Sequence, residues 1–175
     1  MDMNMDMHIK EVSIESPIEV KISWAENCYQ ERRDQLLEDI RIADLLDKYR
    51  EAIQASHEEM VKAGLVKECR DCEQREGGSC CGIGLENRYS GILLLTNLLL
   101  DVKIPKKRQD TFSCFFLGDR GCRLLARHVI CVNYLCKKIT DHIDPKKIAG
   151  LREKEGVELE HLFFLQERIR EMLQG

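Results

Sequence analysis

Residues 69–82 read CRDCEQREGGSCCG and residues 114–136 read CFFLGDRGCRLLARHVICVNYLC; together they hold eight of the chain's nine cysteines. The spacing is Cys69-x2-Cys72-x7-Cys80-Cys81, then Cys114-x7-Cys122-x8-Cys131-x4-Cys136. Each half supplies four thiols, and four thiolates are what one tetrahedral zinc ion or one iron–sulfur cluster needs. A Cys-x2-Cys pair lets two sulfurs converge on one metal across a tight turn. Adjacent side chains in an extended chain point to opposite sides, so Cys80 and Cys81 can serve two different centres. Two partitions therefore stand: first four and last four, or an interleaved arrangement with Cys80 and Cys81 in separate sites.

Working outward, the segments around this centre read as helices. Ser23-x-x-Glu26 has the form of a capping box, and a helical pattern runs from there to about Ala63, with Gly64 as the C-cap. Leu36, Ile40, Ala43, Tyr49, Ile53, Ser56 and Met60 lie at three- and four-residue spacings that face a core, and the run is long enough to bend or break near residues 40–47. A coiled-coil partner surface is the alternative, but the wide apolar stripe favours packing on the chain's own core. Before it, Ile18, Val20 and Ile22 alternate with polar residues behind Pro17, which predicts a short N-terminal strand or extended arm. The glycine-rich first cysteine segment reads as loop. Residues 87–100 read as a helix, with a strand as the alternative for so short an apolar run. Residues 103–110 form a polar connector. Residues 124–140 fit a helix, Asp144-Pro145 marks another helix start, and residues 151–173 carry a final helical pattern. The expectation is one mainly α domain, residues 1–175, with helices flanking an irregular cysteine-rich metal-binding centre within 69–136.

The order Cys-x2-Cys, Cys-Cys, Cys-Phe-Phe-Leu-x3-Gly-Cys, an Arg before Cys131 and a Tyr before Cys136 resembles the YkgJ-type cysteine-cluster proteins, described as zinc- or iron-chelating with eight characteristic cysteines. The resemblance covers residues 69–136 and implies a metal ligand set of Cys69, Cys72, Cys80, Cys81, Cys114, Cys122, Cys131 and Cys136. Two departures stand out. Seven residues separate Cys72 from Cys80 where the family usually has two, and the family's Arg-Pro appears here as Arg127-His128. Some relatives of this cluster are lysine N-methylases, but this chain is short and carries no recognisable S-adenosylmethionine loop. Members are often described as iron–sulfur proteins. The order of expectation is therefore an iron–sulfur cluster ([4Fe–4S]) first, zinc second and disulfides third. No cysteine is followed by proline, so the bacterial ferredoxin run is absent, and a single Cys-x2-Cys pair fits a zinc ribbon poorly.

Composition narrows the classes. Aromatics make up 6%, so Leu, Ile and Val must build the core, and a net charge of −4 argues against a general nucleic-acid binder. Residues 1–10 lack a basic start and an apolar run, and the stretch 92–100, broken by Thr96 and Asn97, is too short to span a bilayer. A cytoplasmic chain with reduced thiols is expected, and Cys28 reads as a small buried hydrophobe. The methionines of residues 1–7 admit a copper site, though a mobile terminus is the simpler reading. Residues 101–150 hold eleven Lys and Arg against five Asp and Glu. Arg120, Arg123, Arg127, Lys137 and Lys138 are placed to offset thiolate charge. Lys103, Lys106, Lys107 and Arg108 read as a solvated face. His128 and His142 are candidate ligands, with a hydrogen-bonding or surface role the simpler reading. No Walker loop, dinucleotide fingerprint or nucleophile elbow is present. The expected function is metal binding in a redox or accessory role beside another protein, with a structural zinc module that docks a protein as the alternative.

Overall fold

A computed structural model describes residues 9–76 and 80–175; the side chains of residues 72–76 lie outside that description. The Met-rich start, Gly77, Gly78 and the Cys72 thiol are therefore not among the described groups. The fold is mainly helical. Helix α1 (Ile18–Glu38) starts directly behind Pro17, whose carbonyl accepts from the N–H groups of Val20 and Lys21 at 3.0 and 3.1 Å. This corrects the expected N-terminal strand. The Ile18/Val20/Ile22 alternation also satisfies a helical stripe of Ile18, Ile22 and Ala25, and those three are buried while Val20 is 46% exposed. The Ser23 box consequently falls inside the helix. Residues before Pro17 form an arm rather than a strand. Ile9 N–H donates to the Leu173 carbonyl (3.1 Å), Trp24 Nε1 donates to the Lys10 carbonyl (3.0 Å), and the Glu11 carboxylate accepts from Ile92 N–H (2.8 Å).

Asp39, in an extended conformation, breaks the long helical run and opens α2 (Ile40–Ala63). Its Oδ1 caps the new helix by accepting from Ile42 N–H at 2.9 Å. Gly64, at φ 87°, closes α2 in the left-handed conformation that glycine adopts without strain. The chain then enters α3 (Leu65–Glu76), so Cys69 and Cys72 sit three residues apart on a helix rather than in the expected loop. After a short 3-10 turn (Leu85–Arg88), α4 (Gly91–Leu99) is capped by Ser90 Oγ, which accepts from Leu93 N–H at 3.1 Å. A two-residue hairpin follows, β1 (Leu117–Gly118) against β2 (Gly121–Cys122), antiparallel with Leu117 opposite Cys122. The helix expected over 124–140 is instead two short ones, α5 (Val129–Asn133) and α6 (Lys137–His142). Helix α7 (Pro145–Gln174) ends the chain, with Pro145 at its start and the Asp144 carboxylate accepting from Lys146 N–H at 2.8 Å.

Two packings organise these elements: α2 lies along α7, and α1 lies against α4. The main core joins Ile18, Ile22, Ala25 and Leu36 of α1 to Ile42, Leu46 and Tyr49 of α2, nearly all of α4, and Leu162, Leu165 and Ile169 of α7. Phe115, Phe116, Leu124 and Ala126 from the cysteine-rich segment enter the same core. A second, smaller cluster gathers Ala63, Leu65, Ile139 and Leu151.

Candidate functional site

The loops that carry the cysteines are fixed by buried polar groups. Asn97, fully buried on α4, uses its whole hydrogen-bonding capacity. Its Nδ2 donates to the carbonyls of Leu93 (3.0 Å) and Ala126 (2.9 Å), and its Oδ1 accepts from the N–H groups of Leu125 and Ala126 (both 3.0 Å). That one side chain pins the segment between Cys122 and Cys131 to the core. Glu86, 3% exposed, does the same for the other side. It accepts from Gly84 N–H (3.0 Å) and Phe115 N–H (3.4 Å) and is paired with Arg108. Burial pushes the Glu86 carboxyl up, but Arg108 and the backbone donors more than offset this and hold it below its ordinary value.

Arg108 also donates to the Ser113 carbonyl and lies over the Phe115 ring, so it is structural and not the solvated charge expected of it. Lys103, Lys106 and Lys107 are exposed as expected, with Lys106 in a surface pair with Glu26. Arg123 donates to the carbonyls of Lys107 (3.2 Å) and Phe115 (3.1 Å), which ties the hairpin to the connector. Glu86 drew no notice in the sequence, and Asn97 was noted only as an interruption of the apolar stretch 92–100; a polar residue inside an apolar helical run was the available signal for its role.

On this frame Cys81 and Cys114 meet directly: Cys114 N–H donates to the Cys81 carbonyl at 2.7 Å, next to a bridge between Gly82 and Ser113. The hairpin carries Cys122, and Cys131 sits in the middle of α5. The thiols sense one another. Burial raises Cys114 to about 11, with Glu86, Cys122 and Cys81 adding to the rise and the Phe116 N–H opposing it. Cys122 is exposed as a residue, yet desolvation of its thiol raises its pKa, and Cys81 and Cys131 raise it further; Leu124 N–H and Arg127 pull the other way. Tyr89, buried, donates its O–H to the Cys131 sulfur at 3.8 Å. Cys81, Cys114 and Cys131 also belong to the main apolar cluster, as core member or against its edge.

Cys136 stands apart. It packs on the second cluster with Ile139 and Leu135. Burial raises the Cys80 thiol first, and Cys136 and then Cys81 raise it further, so Cys80 faces both groups. Cys69 is exposed on α3. No disulfide links the described cysteines. Among the described residues, no three His, Cys, Asp or Glu side chains are drawn together closely enough to hold a metal ion. The four thiols of Cys81, Cys114, Cys122 and Cys131 are thus neighbours at electrostatic range. Cys28 is buried on the core-facing side of α1, with its thiol raised to about 11 chiefly by burial, as expected of a core position. His128 caps α5: its Nδ1 accepts from Ile130 N–H at 3.2 Å, and burial, helped by Arg88, lowers its pKa. His142 ends α6 on the surface.

The chemistry of these donors, thiols alone, is that of a thiophilic-metal ligand set, but their present spacing does not form a metal site among the described residues. The members are thiols on three separate backbone segments. The Cys114 and Cys122 sulfurs each face the backbone N–H of the residue two positions on, the kind of donor that stabilises metal-bound sulfur. Arg127 stands within reach of the Cys122 thiol. Among known proteins, the chain matches no family model, no protein of curated function and no solved structure. No helix among the described residues is long and apolar enough to cross a membrane.

Proposed function

We propose that this chain is a cytoplasmic metal-binding protein whose principal site is the thiol set Cys81, Cys114, Cys122 and Cys131. The observation that carries the reading is the gathering of these four residues, from three segments, at one edge of the core with two backbone N–H groups and one phenol directed at their sulfurs. That gathering favours the interleaved partition: Cys81 meets Cys114 through the backbone, Cys136 packs on the second apolar cluster, and Cys80 faces Cys136 as well as Cys81. The resemblance places Cys69 and Cys72 in the same ligand set, and with Cys80 and Cys136 they would make a second group of four.

An iron–sulfur cluster is the occupant the reading prefers, and it supplies one-electron transfer; the resemblance to YkgJ-type proteins stands on the same cysteines. Within the chain, Phe116 and Leu124 N–H groups hold sulfur charge, Asn97 and Glu86 hold the loops, and Phe115 and Phe116 exclude water on the core side. Zinc, in a structural site that supports docking to another protein, is the second reading, favoured by an all-thiol set without an evident substrate residue. Metal and acid-labile sulfide analysis, with a visible spectrum, on protein purified without oxygen tests the proposal. Iron with sulfide and a brown colour supports the first reading. Stoichiometric zinc in a colourless sample supports the second, and protein devoid of bound metal after reconstitution with either overturns both.

A further inference from the structure

We infer that Cys81 and Cys114 are a reversible thiol–disulfide pair, in which a peroxide oxidises the half-buried Cys81 and the buried Cys114 closes the bond. The inference stands apart from the metal reading, because it needs two sulfurs on facing segments and no third donor. The Cys114 N–H donates to the Cys81 carbonyl at 2.7 Å, and on the far side of the Gly82–Ser113 bridge the Ile83 N–H donates to the Phe112 carbonyl at 3.0 Å. These two bonds run the segments antiparallel and set Cys81 opposite Cys114. Residues directly opposite in an antiparallel pair share a face, with Cα atoms about 5.5 Å apart where they are hydrogen-bonded. A disulfide spans Cα separations of roughly 4.4–6.8 Å. The pair therefore meets the geometric demand of the bond with the backbone as it stands.

The register of the two segments is held. The Glu86 carboxylate accepts from Gly84 N–H at 3.0 Å on one segment and from Phe115 N–H at 3.4 Å on the other. Arg108 pairs with that carboxylate and donates to the Ser113 carbonyl. A slip by one residue would break these bonds, so Cys81 is the residue that Cys114 faces across the bridge. Burial raises the Cys114 thiol first, and Cys81 is among the groups that raise it further, which puts the two within electrostatic reach. They differ in access: Cys81 is half-buried and Cys114 is 7% exposed. That difference assigns the roles. The peroxide transfers an oxygen to the Cys81 sulfur, which becomes S–OH as the O–O bond breaks and a water leaves. The Cys114 sulfur then attacks the Cys81 sulfur. The S–S bond forms as the S–OH bond breaks, and the hydroxide takes the Cys114 proton and leaves as a second water. The two thiols together lose two electrons, and the peroxide gains them. A dithiol reductant returns both electrons by exchange and restores the pair.

Hydrogen peroxide is the probe, applied to the full chain purified without oxygen, with metal content measured on the same sample. The expected result is the loss of one pair of thiols per chain, a peptide pair joined through Cys81 and Cys114 in mass spectra, and recovery of both thiols with dithiothreitol. Cys80→Ser, at an exposed position, should leave that link intact, which separates Cys81 from its neighbour in the same peptide. In Cys114→Ser the link is lost and the S–OH of Cys81 persists long enough to be captured by dimedone. Cys81→Ser should leave the Cys114 thiol unoxidised at the same dose, and this holds the test even if Cys114→Ser folds poorly. A link from Cys81 to Cys80 or Cys122, oxidation of Cys81 beyond S–OH beside an intact Cys114 thiol, or retention of every thiol overturns the pair. Because metal is read on the same sample, the pair can fail with the metal reading intact, and the reverse.

Discussion

Gly91 leaves no room for a side chain: a Cβ built on it would lie 2.5 Å from Cε3 of Trp24. Alanine is the better helix former by about 1 kcal/mol, so propensity alone favours Gly91→Ala. The clash wins, because Trp24 is held by its indole bond to the Lys10 carbonyl and cannot swing away without freeing the N-terminal arm. Gly91→Ala is expected to destabilise the chain by about 1–3 kcal/mol in urea unfolding, and a neutral or stabilising effect would show that the arm is loose. Asn97 is the other residue on which much depends. Replacement by leucine leaves the Leu125 and Ala126 N–H groups and the Ala126 carbonyl without their partner, a loss on the order of 3 kcal/mol. It should also weaken metal uptake, because the segment between Cys122 and Cys131 is no longer anchored; metal content equal to wild type in the folded variant would remove Asn97 from the site's support.

Two junctions between elements make separate demands on pH. Asp39 joins α1, α2 and α7: it caps α2 and binds Arg168, whose Nη2 and Nε reach it at 2.6 and 3.3 Å. Arg168 chiefly, then the cap bond from Ile42, hold its carboxyl below the usual value despite partial burial. A lowered carboxyl stabilises the fold above its unfolded value of 3.8 and loses that contribution as pH falls through the folded value. Asp39→Ala should therefore cost about 1 kcal/mol for the cap alone at pH 7 and less under acid conditions. Between α2 and α7 the sign reverses. Glu158 is 1% exposed, and among the described residues neither of its oxygens, nor the buried Tyr49 and Ser56 hydroxyls, has a partner at full hydrogen-bond geometry, although the Ser56 hydroxyl lies near enough to act on the carboxyl. Burial raises its carboxyl, Glu155 adds to the rise, and Ser56 and Arg127 oppose it. The folded state thus holds the proton more tightly than the unfolded one. That stability is present below 4.5 and lost as pH rises through the raised value. Thermal midpoints at pH 5 and pH 8 should fall further apart in wild type than in Glu158→Gln; equal spacing would mean that Glu158 is not the group responsible. These junctions also mark what could be read from sequence. Gly64 and Asp144-Pro145 announced their helix ends because their signals are local. Asp39 gave a break just ahead of the expected window, since its role depends on Arg168, 129 residues away. Ile18 and Ile22 fitted both a two-residue and a four-residue repeat, and only the core on one side of α1 decides between them.

At the scale of the whole molecule, the core and the cysteine centre are separable. Ile18, Ile42, Leu46, Leu94, Leu165 and Ile169 are buried by helix against helix. Cys114, Phe115, Phe116 and Leu124 instead hang on the core through loops with little regular structure, secured by Asn97 and Glu86. The sequence displayed the eight cysteines, yet spacing alone carried no sign that Cys114 meets Cys81 through the backbone while Cys136 lodges in a different apolar cluster. Single alanine replacements test the interleaved partition. If Cys81, Cys114, Cys122 and Cys131 form one site, replacing any of them should remove the same half of the bound metal, and replacing Cys80 or Cys136 should remove the other half. Loss of all metal from every variant would indicate one shared centre in place of two. Metal removal should then act locally. At a free metal concentration 100 times its dissociation constant, loading stabilises the folded chain by about 2.7 kcal/mol per site, and hydrogen exchange should place the added protection in residues 113–131. Protection in α2 and α7 should survive chelation, because their packing on each other buries Leu46, Tyr49, Leu162 and Leu165 whether or not the thiols are occupied. Collapse of α2 and α7 protection together with that of the hairpin would instead make the metal the organiser of the entire fold.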